Sequence, residues 1–354
     1  MSERLRVAVV GGGIGVSHIK AYVQLPEMFE LVAICDIDTA KAERISQEFG
    51  IPRVVADFSE LCRMDDIDVI DICTPPHLHY PQALEVLAAG KHAICEKPLV
   101  GSLKQADELA IAEKQSGRRL MPIFQYRFGH GLQKLKFLIQ EGLAGTTYLS
   151  TVETAWRRRA AYYDVPWRGK WATELGGAVL GHAIHTHDML CYVLGPVKQV
   201  FARTNTRVNP IEVEDCASAS LLMADGSLAS LSVTLGSSEE ISRHRFCFSN
   251  FVAESNLRPY TNSGDPWRFI GDTPELSEQI EKTLERFQPL PEGHAGQFYR
   301  FHQAITQGGE LPVTIADARA SLELVTAIYY SSQTNQPVDL PIGTDHPKYE
   351  SWLP

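Results

Sequence analysis

The stretch 5-LRVAVVGGGIG-15 decides the first half of the fold. Its valine-rich start reads as a buried strand, and the glycines read as a tight turn into a helix beginning near Ser17. A second apolar run, 29-FELVAICDID-38, carries an acid, Asp36, near its end. Strand, glycine turn, helix, strand and closing acid is the order of a dinucleotide-binding unit. The physics is local. Glycines let the backbone approach a pyrophosphate, a helix N-terminus offers it unpaired N–H groups, and the acid accepts hydrogen bonds from ribose hydroxyls. The spacing is compressed, because Val16 stands where a third glycine would follow Gly11 and Gly13, and Gly15 comes one residue early. A tight turn alone requires no ligand, so the acid tips the reading. The candidate cofactor contacts are Gly11, Gly13, Ile14, Gly15 and Asp36. Asp36 favours a free 2′-hydroxyl over a 2′-phosphate, so NAD is expected ahead of NADP.

Outward from this unit the alternation continues. The segment 54-VVADFSELCRM-64 gives a strand edge and a short helix, 67-IDVIDICTPP-76 a strand, 80–89 a helix, 91-KHAICEKPL-99 a strand and 103–115 a helix. Repeated strand–helix units imply a parallel sheet wound on both faces, with ligands beyond the carboxyl ends of its strands. Thr74, Pro75 and His79, with Glu96 and Lys97, therefore fall on the cofactor's rim. After residue 124 the alternation stops, and β-rich segments follow at 146–156, 197–206, 215–224, 228–236 and 243–253. Two domains are expected: a Rossmann domain over 1–124 and a second over 125–354.

Composition narrows the function. A net charge of −10 argues against a nucleic-acid surface. The one basic run, Arg157–Arg159, is short and flanked by aromatics. Seven cysteines without a CxxC pair read as buried thiols in a reducing compartment. No leader is recognisable, and no apolar run approaches a membrane span. The expectation is a cytoplasmic protein with no nucleic-acid or membrane partner.

The stretch 176-GGAVLGHAIHTHDML-190 holds three histidines and an aspartate within the span His182–Asp188. Helical spacing puts His182 and His185 on one side and Asp188 one turn later, with His187 pointing elsewhere. Those spacings suit a zinc set of His182, His185 and Asp188. However, HxxH is not HExxH, and no second cluster supplies further ligands, so no metal is expected.

Several ordered motifs resemble the glucose–fructose oxidoreductase / inositol dehydrogenase / MocA (Gfo/Idh/MocA) family: 74-TPPHLH-79, 96-EKP-98, 125-QYRF-128, 166-PWRGKW-171, the 176–188 helix and 322-LELVTAIYYSS-332. The resemblance implies an α/β architecture: an N-terminal Rossmann domain and a C-terminal α/β domain on a large open, mainly antiparallel sheet. That sheet serves substrate binding and oligomerisation, so a homodimer or homotetramer is expected. Lys97 is implied to touch both the substrate oxygen and the cofactor, and His185 to be the acid–base imidazole. Beside a cationic nicotinamide ring an ammonium is disfavoured, which lets Lys97 share or relay a proton. The family places an aspartate four residues before that histidine, whereas this chain has Gly181. Gln125, Trp167 and Arg168 are implied cofactor contacts. Trp156, Arg158, His182 and His294 are candidate substrate contacts. Aromatic and basic residues in 156-WRRRAAYYDVPWR-168 suit a polyol, a sugar or a sugar acid. The leading expectation is an NAD-dependent sugar or inositol dehydrogenase. The alternatives are a non-redox, glycosidase-like enzyme using NAD transiently and a non-catalytic NAD-binding sensor.

Overall fold

The computed structural model describes residues 4–354. They form two compact units: the chain up to Phe124 with His294–Arg319, and Gln125–Gly293 with Ala320–Pro354.

In the first unit the elements run β1 (Leu5–Val10), α1 (Gly15–Val23), β2 (Phe29–Cys35), α2 (Thr39–Phe49), β3 (Val54–Val55), α3 (Phe58–Cys62), β4 (Val69–Ile72), α4 (His79–Ala88), β5 (His92–Cys95), α5 (Leu103–Ser116) and β6 (Leu120–Pro122). The strands stand in the order β3-β2-β1-β4-β5-β6, and every pairing is parallel. The central strands are nearly continuous apolar runs because both faces are covered. Local signals set the helix ends. Asp38 caps α2 by accepting from the Lys41 N–H, Ser102 caps α5 by accepting from the Gln105 N–H, and left-handed Gly50 and Gly117 stop them.

The leading stretch of the first unit ends at Phe124, and the stretch 125–354 expected as a second domain is divided between the two units. Residues 294–319 fold with the first unit. Gln297 explains the attachment: its Oε1 accepts from the Phe124 N–H and its Nε2 donates to the Pro122 carbonyl. Phe298 stacks on Tyr22 of α1 at 4.3 Å. These bonds close the free edge of β6, a long-range event that no local pattern announces.

The second unit contains α6 (His130–Gln140), β7 (Thr147–Arg157), α7 (Trp171–Glu174), α8 (Ile184–Leu194), β8 (Val197–Asn205), β9 (Cys216–Met223), β10 (Leu228–Thr234), β11 (Gly236–Phe248), β12 (Phe251–Glu254), β13 (Arg268–Gly271), α9 (Pro274–Leu284) and the short β14 (Val338–Asp339). Its sheet has the order β13-β12-β11-β7-β10-β9-β8-β14, antiparallel except between β10 and β7. Alternation governs these strands. Val152 and Thr154 of β7, Val200 and Ala202 of β8, and Leu231 and Val233 of β10 are buried. On the opposite face Leu149, Phe201, Leu228 and Ile270 remain exposed.

Within the β-rich segment 243–253, Ser249 and Asn250 turn β11 into β12. One expectation changes here, because the run 176–190 is not one regular helix. Residues Ala178–His182 form a π-helical turn, with the Ala183 N–H bonded to the Ala178 carbonyl, before α8 begins. Among the described residues no helix is long and apolar enough to cross a membrane.

Candidate functional site

In the first unit the glycine turn lies at the carboxyl end of β1. Gly11 adopts φ +97°, and a Cβ there would meet the Cys73 carbonyl at 2.6 Å. Gly12 donates its N–H to Asp36 Oδ2 at 2.7 Å, which ties the turn to the end of β2. Gly13 has open space around it, Ile14 is exposed, and Gly15 packs against Val9 as α1 begins. This is a cradle with its floor kept clear at Gly13, and it fits a pyrophosphate approaching a helix N-terminus. Asp36 also accepts from the Asp38 N–H and the Lys41 ammonium. Burial raises its pKa, but these donors outweigh burial and hold the carboxyl below its usual range.

The rim beyond β4 and β5 is braced from inside. Thr74 donates its hydroxyl to Gln82. His79 is buried, and its two ring nitrogens face the Pro98 and Thr74 carbonyls at 2.7 Å each. Its imidazole ties the two rim loops together, so its side chain is not offered to a cofactor as expected. Glu96 turns inward too: Oε2 accepts from the Lys97 N–H, and Oε1 lies 3.1 Å from His18 Nε2. His18 Nδ1 meets Asp71 Oδ2 at 2.8 Å, and the Tyr22 hydroxyl donates to the same oxygen. His294 sits in this unit, its ring 4.5 Å from that of His18 and its Nε2 3.9 Å from Glu96 Oε1. Its expected place among the substrate contacts gives way to this buried cluster. Among the described residues, metal-type side chains gather within 4.8 Å as His18–Glu96–His294 and as His18–Asp71–Cys73. His18 is common to both groups, and although burial pulls its pKa down, Asp71 and Cys73 hold it well above the ordinary value.

In the second unit His185 is buried and stacks on Tyr126 at 4.6 Å, with the rings 13° from parallel. Gln125 is the neighbour of that tyrosine, and its side-chain oxygen is buried without a hydrogen-bond partner among the described residues. Asp188, one turn after His185, is gripped by Arg127 through two bonds of 2.8 and 2.6 Å. This pairing removes it from the ligand set considered for zinc. Trp156 is buried, donates its indole N–H to Ser242 and meets the His182 ring edge-on at 5.6 Å. Arg158 lies over the rings of Trp156, Tyr162 and Tyr260 and pairs with Glu240 at 2.9 Å. Arg168 lies over Tyr162 and Trp167, 3.6 Å from Glu174. His187 is buried apart from these, and burial followed by the field of His244 pulls its pKa down to about 3. Glu214 receives the Gly177 and Val179 N–H groups and the Tyr329 hydroxyl, and burial pushes its pKa up to about 7. It fixes the start of the π-helical turn.

The sequence reading missed His18, Asp71, Tyr126, Arg127, Glu174 and Glu214. One signal was present: Asp71 interrupts the apolar strand VIDI, and a buried carboxylate requires a partner.

Two family models match the chain. One is described as an oxidoreductase family with an NAD-binding Rossmann fold, over residues 5–124. The other is the GFO/IDH/MocA C-terminal domain, over 132–248. Among relatives, D-glucoside 3-dehydrogenase of Escherichia coli is 27% identical across 96% of this chain and 98% of its own. Levoglucosan dehydrogenase of Pseudarthrobacter phenanthrenivorans is 28% identical across 66% and 68%. The WlbA dehydrogenase of Bordetella pertussis, solved with NADH and UDP-GlcNAcA, superposes with a TM-score of 0.85. It is 29% identical, covering 96% of this chain and 100% of that one.

Proposed function

The chain belongs to the Gfo/Idh/MocA oxidoreductases, and from that premise we propose that it is an NAD-dependent dehydrogenase oxidising a secondary alcohol of a sugar, an inositol or a sugar derivative. The relatives named above act on glucosides and levoglucosan, and the WlbA structure holds NADH with a nucleotide sugar, which supports this substrate class. The observation that carries the cofactor half is the clear floor at Gly13 beside a carboxylate, Asp36, fixed at the end of β2. Gly11, Gly13, Ile14 and Gly15 would hold the pyrophosphate and Asp36 the ribose. Thr74, Pro75 and Glu96 would shape the rim, with Gln125, Trp167 and Arg168 as the second unit's cofactor contacts. Bound NAD supplies the hydride acceptor.

The chain's own groups handle the proton. Lys97 binds the substrate oxygen and takes the hydroxyl proton, and His185 is the second proton-handling group. Trp156, Arg158 and His182 line the sugar. A positioned acid–base group contributes about 10²–10⁴-fold, so Lys97→Ala and His185→Ala should each lower turnover by that order. Absorbance at 340 nm with NAD and a panel of polyols, aldoses and sugar acids reads it. Near-wild-type rates in both variants would sink the assignment. Steady growth marks a dehydrogenase, released aglycone without growth marks the glycosidase-like cycle, and cofactor binding with neither marks a sensor.

The exposed sheet face supports self-association. Strand register aligns Leu228 with Leu149, and Phe201 belongs to the same face. Covering such a patch with a second copy removes apolar area from water. Light scattering should give a dimer or tetramer that Phe201→Glu dissociates. A monomeric wild type at micromolar concentration overturns the oligomer.

A further inference from the structure

The two loops of the expected cofactor rim meet at one side chain. His79 opens α4 and is buried to 1% exposure. Its Nδ1 lies 2.7 Å from the carbonyl of Pro98, beyond β5. Its Nε2 lies 2.7 Å from the carbonyl of Thr74, beyond β4. All three residues belong to the first unit.

The number of protons on the ring decides what this arrangement can hold. A carbonyl oxygen only accepts, and a neutral imidazole has one N–H and one lone pair. The neutral ring therefore bonds one loop and turns its lone pair toward the other carbonyl, at a distance that suits two heavy atoms only with a proton between them. A ring this buried has no room beside it for a bridging water. Only the imidazolium, with an N–H on each nitrogen, bonds both loops at once.

The charged groups facing the ring come from the turn after β5. Burial pulls its pKa below the ordinary value of 6.5, the Pro98 and Thr74 carbonyls and the Glu96 carboxylate pull it up, and the Lys97 ammonium pulls it down. Glu108 of α5, the helix packed beside α4, accepts the Tyr80 hydroxyl at 2.6 Å. The second proton therefore arrives below pH 6.5.

We propose that His79 is a positioning residue for the cofactor rim, and that a proton on its ring sets whether it holds one rim loop or both. Its effect on NAD rests on the reading of these loops as the edge of the cofactor site. Thr74 and Pro75 lie on the first loop, and Glu96 and Lys97 lead into Pro98 on the second. A charged ring presents NAD with a rim fixed on both sides. A neutral ring leaves one side without its tie, and binding must then supply the order that the hydrogen bond supplied before.

The test is an NMR titration of isotopically labelled full-length protein, with the His79 ring and the Thr74 and Pro98 carbonyl carbons assigned from the backbone. From about pH 8 down to the onset of acid unfolding, the ring should pass from one protonated nitrogen to two, with a midpoint below 6.5. One of the two carbonyl carbons should shift with that midpoint as it gains its hydrogen bond, and the other should stay. NAD affinity, read by calorimetry over the same range, should rise about threefold or more, a fraction of what a hydrogen bond from a charged donor contributes. His79→Gln has no titrating ring, so it should lose this rise while keeping every other titration that both proteins share. A ring that stays in one protonation state, or carbonyl carbons that both stay still, overturns the proton-set grip. A ring and carbonyl that titrate as stated, with an equal rise in His79→Gln and the wild type, overturn instead the reading of these loops as the cofactor's edge. Should His79→Gln not fold, the wild type decides alone: its NAD affinity must follow the ring's midpoint, and an affinity that does not overturns the proposal.

Discussion

His18 and His187 are both buried, one in each unit, yet they hold their protons on opposite terms. Burial pulls the His18 pKa down, but the charge and hydrogen bond of Asp71 overcome it and hold the imidazole well above its ordinary value. His187 has no hydrogen-bond partner at either ring nitrogen among the described residues, and burial with the nearby His244 takes it to about 3. Equal burial with opposite outcomes shows that partners decide the protonation state of a buried histidine. It also separates two uses of the residue. His18 is the cation that lets Asp71 and Glu96 be buried under the rim, and Glu96 in turn holds the Lys97 N–H. His187 behaves as a core ring.

The largest test of this contrast replaces each ring with leucine. His18→Leu leaves two buried carboxylates without their cation, and breaking a buried ion pair costs about 3–5 kcal/mol. Urea unfolding should show that loss in the first unit's transition. His187→Leu removes two unpartnered nitrogens and keeps the volume. Because an unsatisfied buried polar group costs about 1–3 kcal/mol, this variant should match or exceed the wild type. Equal effects of the two substitutions would erase the distinction.

The same contrast explains what was legible in the sequence. Most of the six-stranded sheet was readable because its strands and helices announced themselves locally in apolar runs and glycine turns, whereas α2 and the short edge strand β6 drew no reading. The large sheet was legible through the family resemblance and five β-rich segments, which leave out β13 and β14 and pass over the turn at Ser249–Asn250. The return of 294–319 to the first unit was not, because it depends on Gln297 finding the carbonyl of Pro122 and the N–H of Phe124 across about half the chain. In the site, Asp36 and the glycines declared themselves by spacing. His18 did not, since it looks like any residue on a helix until Asp71 and Glu96 arrive from β4 and the end of β5. Motifs encode what neighbours in sequence do, while charge partners here come from elsewhere in the chain.

The smallest expected effect, and the sharpest, lies in the acid limb of stability. A histidine whose folded pKa is depressed binds its proton more readily when unfolded. The fold therefore loses stability as pH falls below about 6.5, and the loss levels off only near the folded value, about 3 for His187. His18 works the other way. Its raised folded pKa gives stability that is fully present below pH 6.5 and lost only as pH climbs through the folded value. His244 and His92, both held near pKa 4 chiefly by burial, add to the acid loss in any variant that keeps them. Subtracting the wild-type curve from that of His187→Leu cancels them. The difference should widen in the variant's favour by about 1 kcal/mol between pH 6 and pH 5, since one pKa unit corresponds to about 1.4 kcal/mol. A difference that stays flat across that interval would mean that His187 gains a partner for its proton in solution, and the contrast with His18 would then rest on His18 alone.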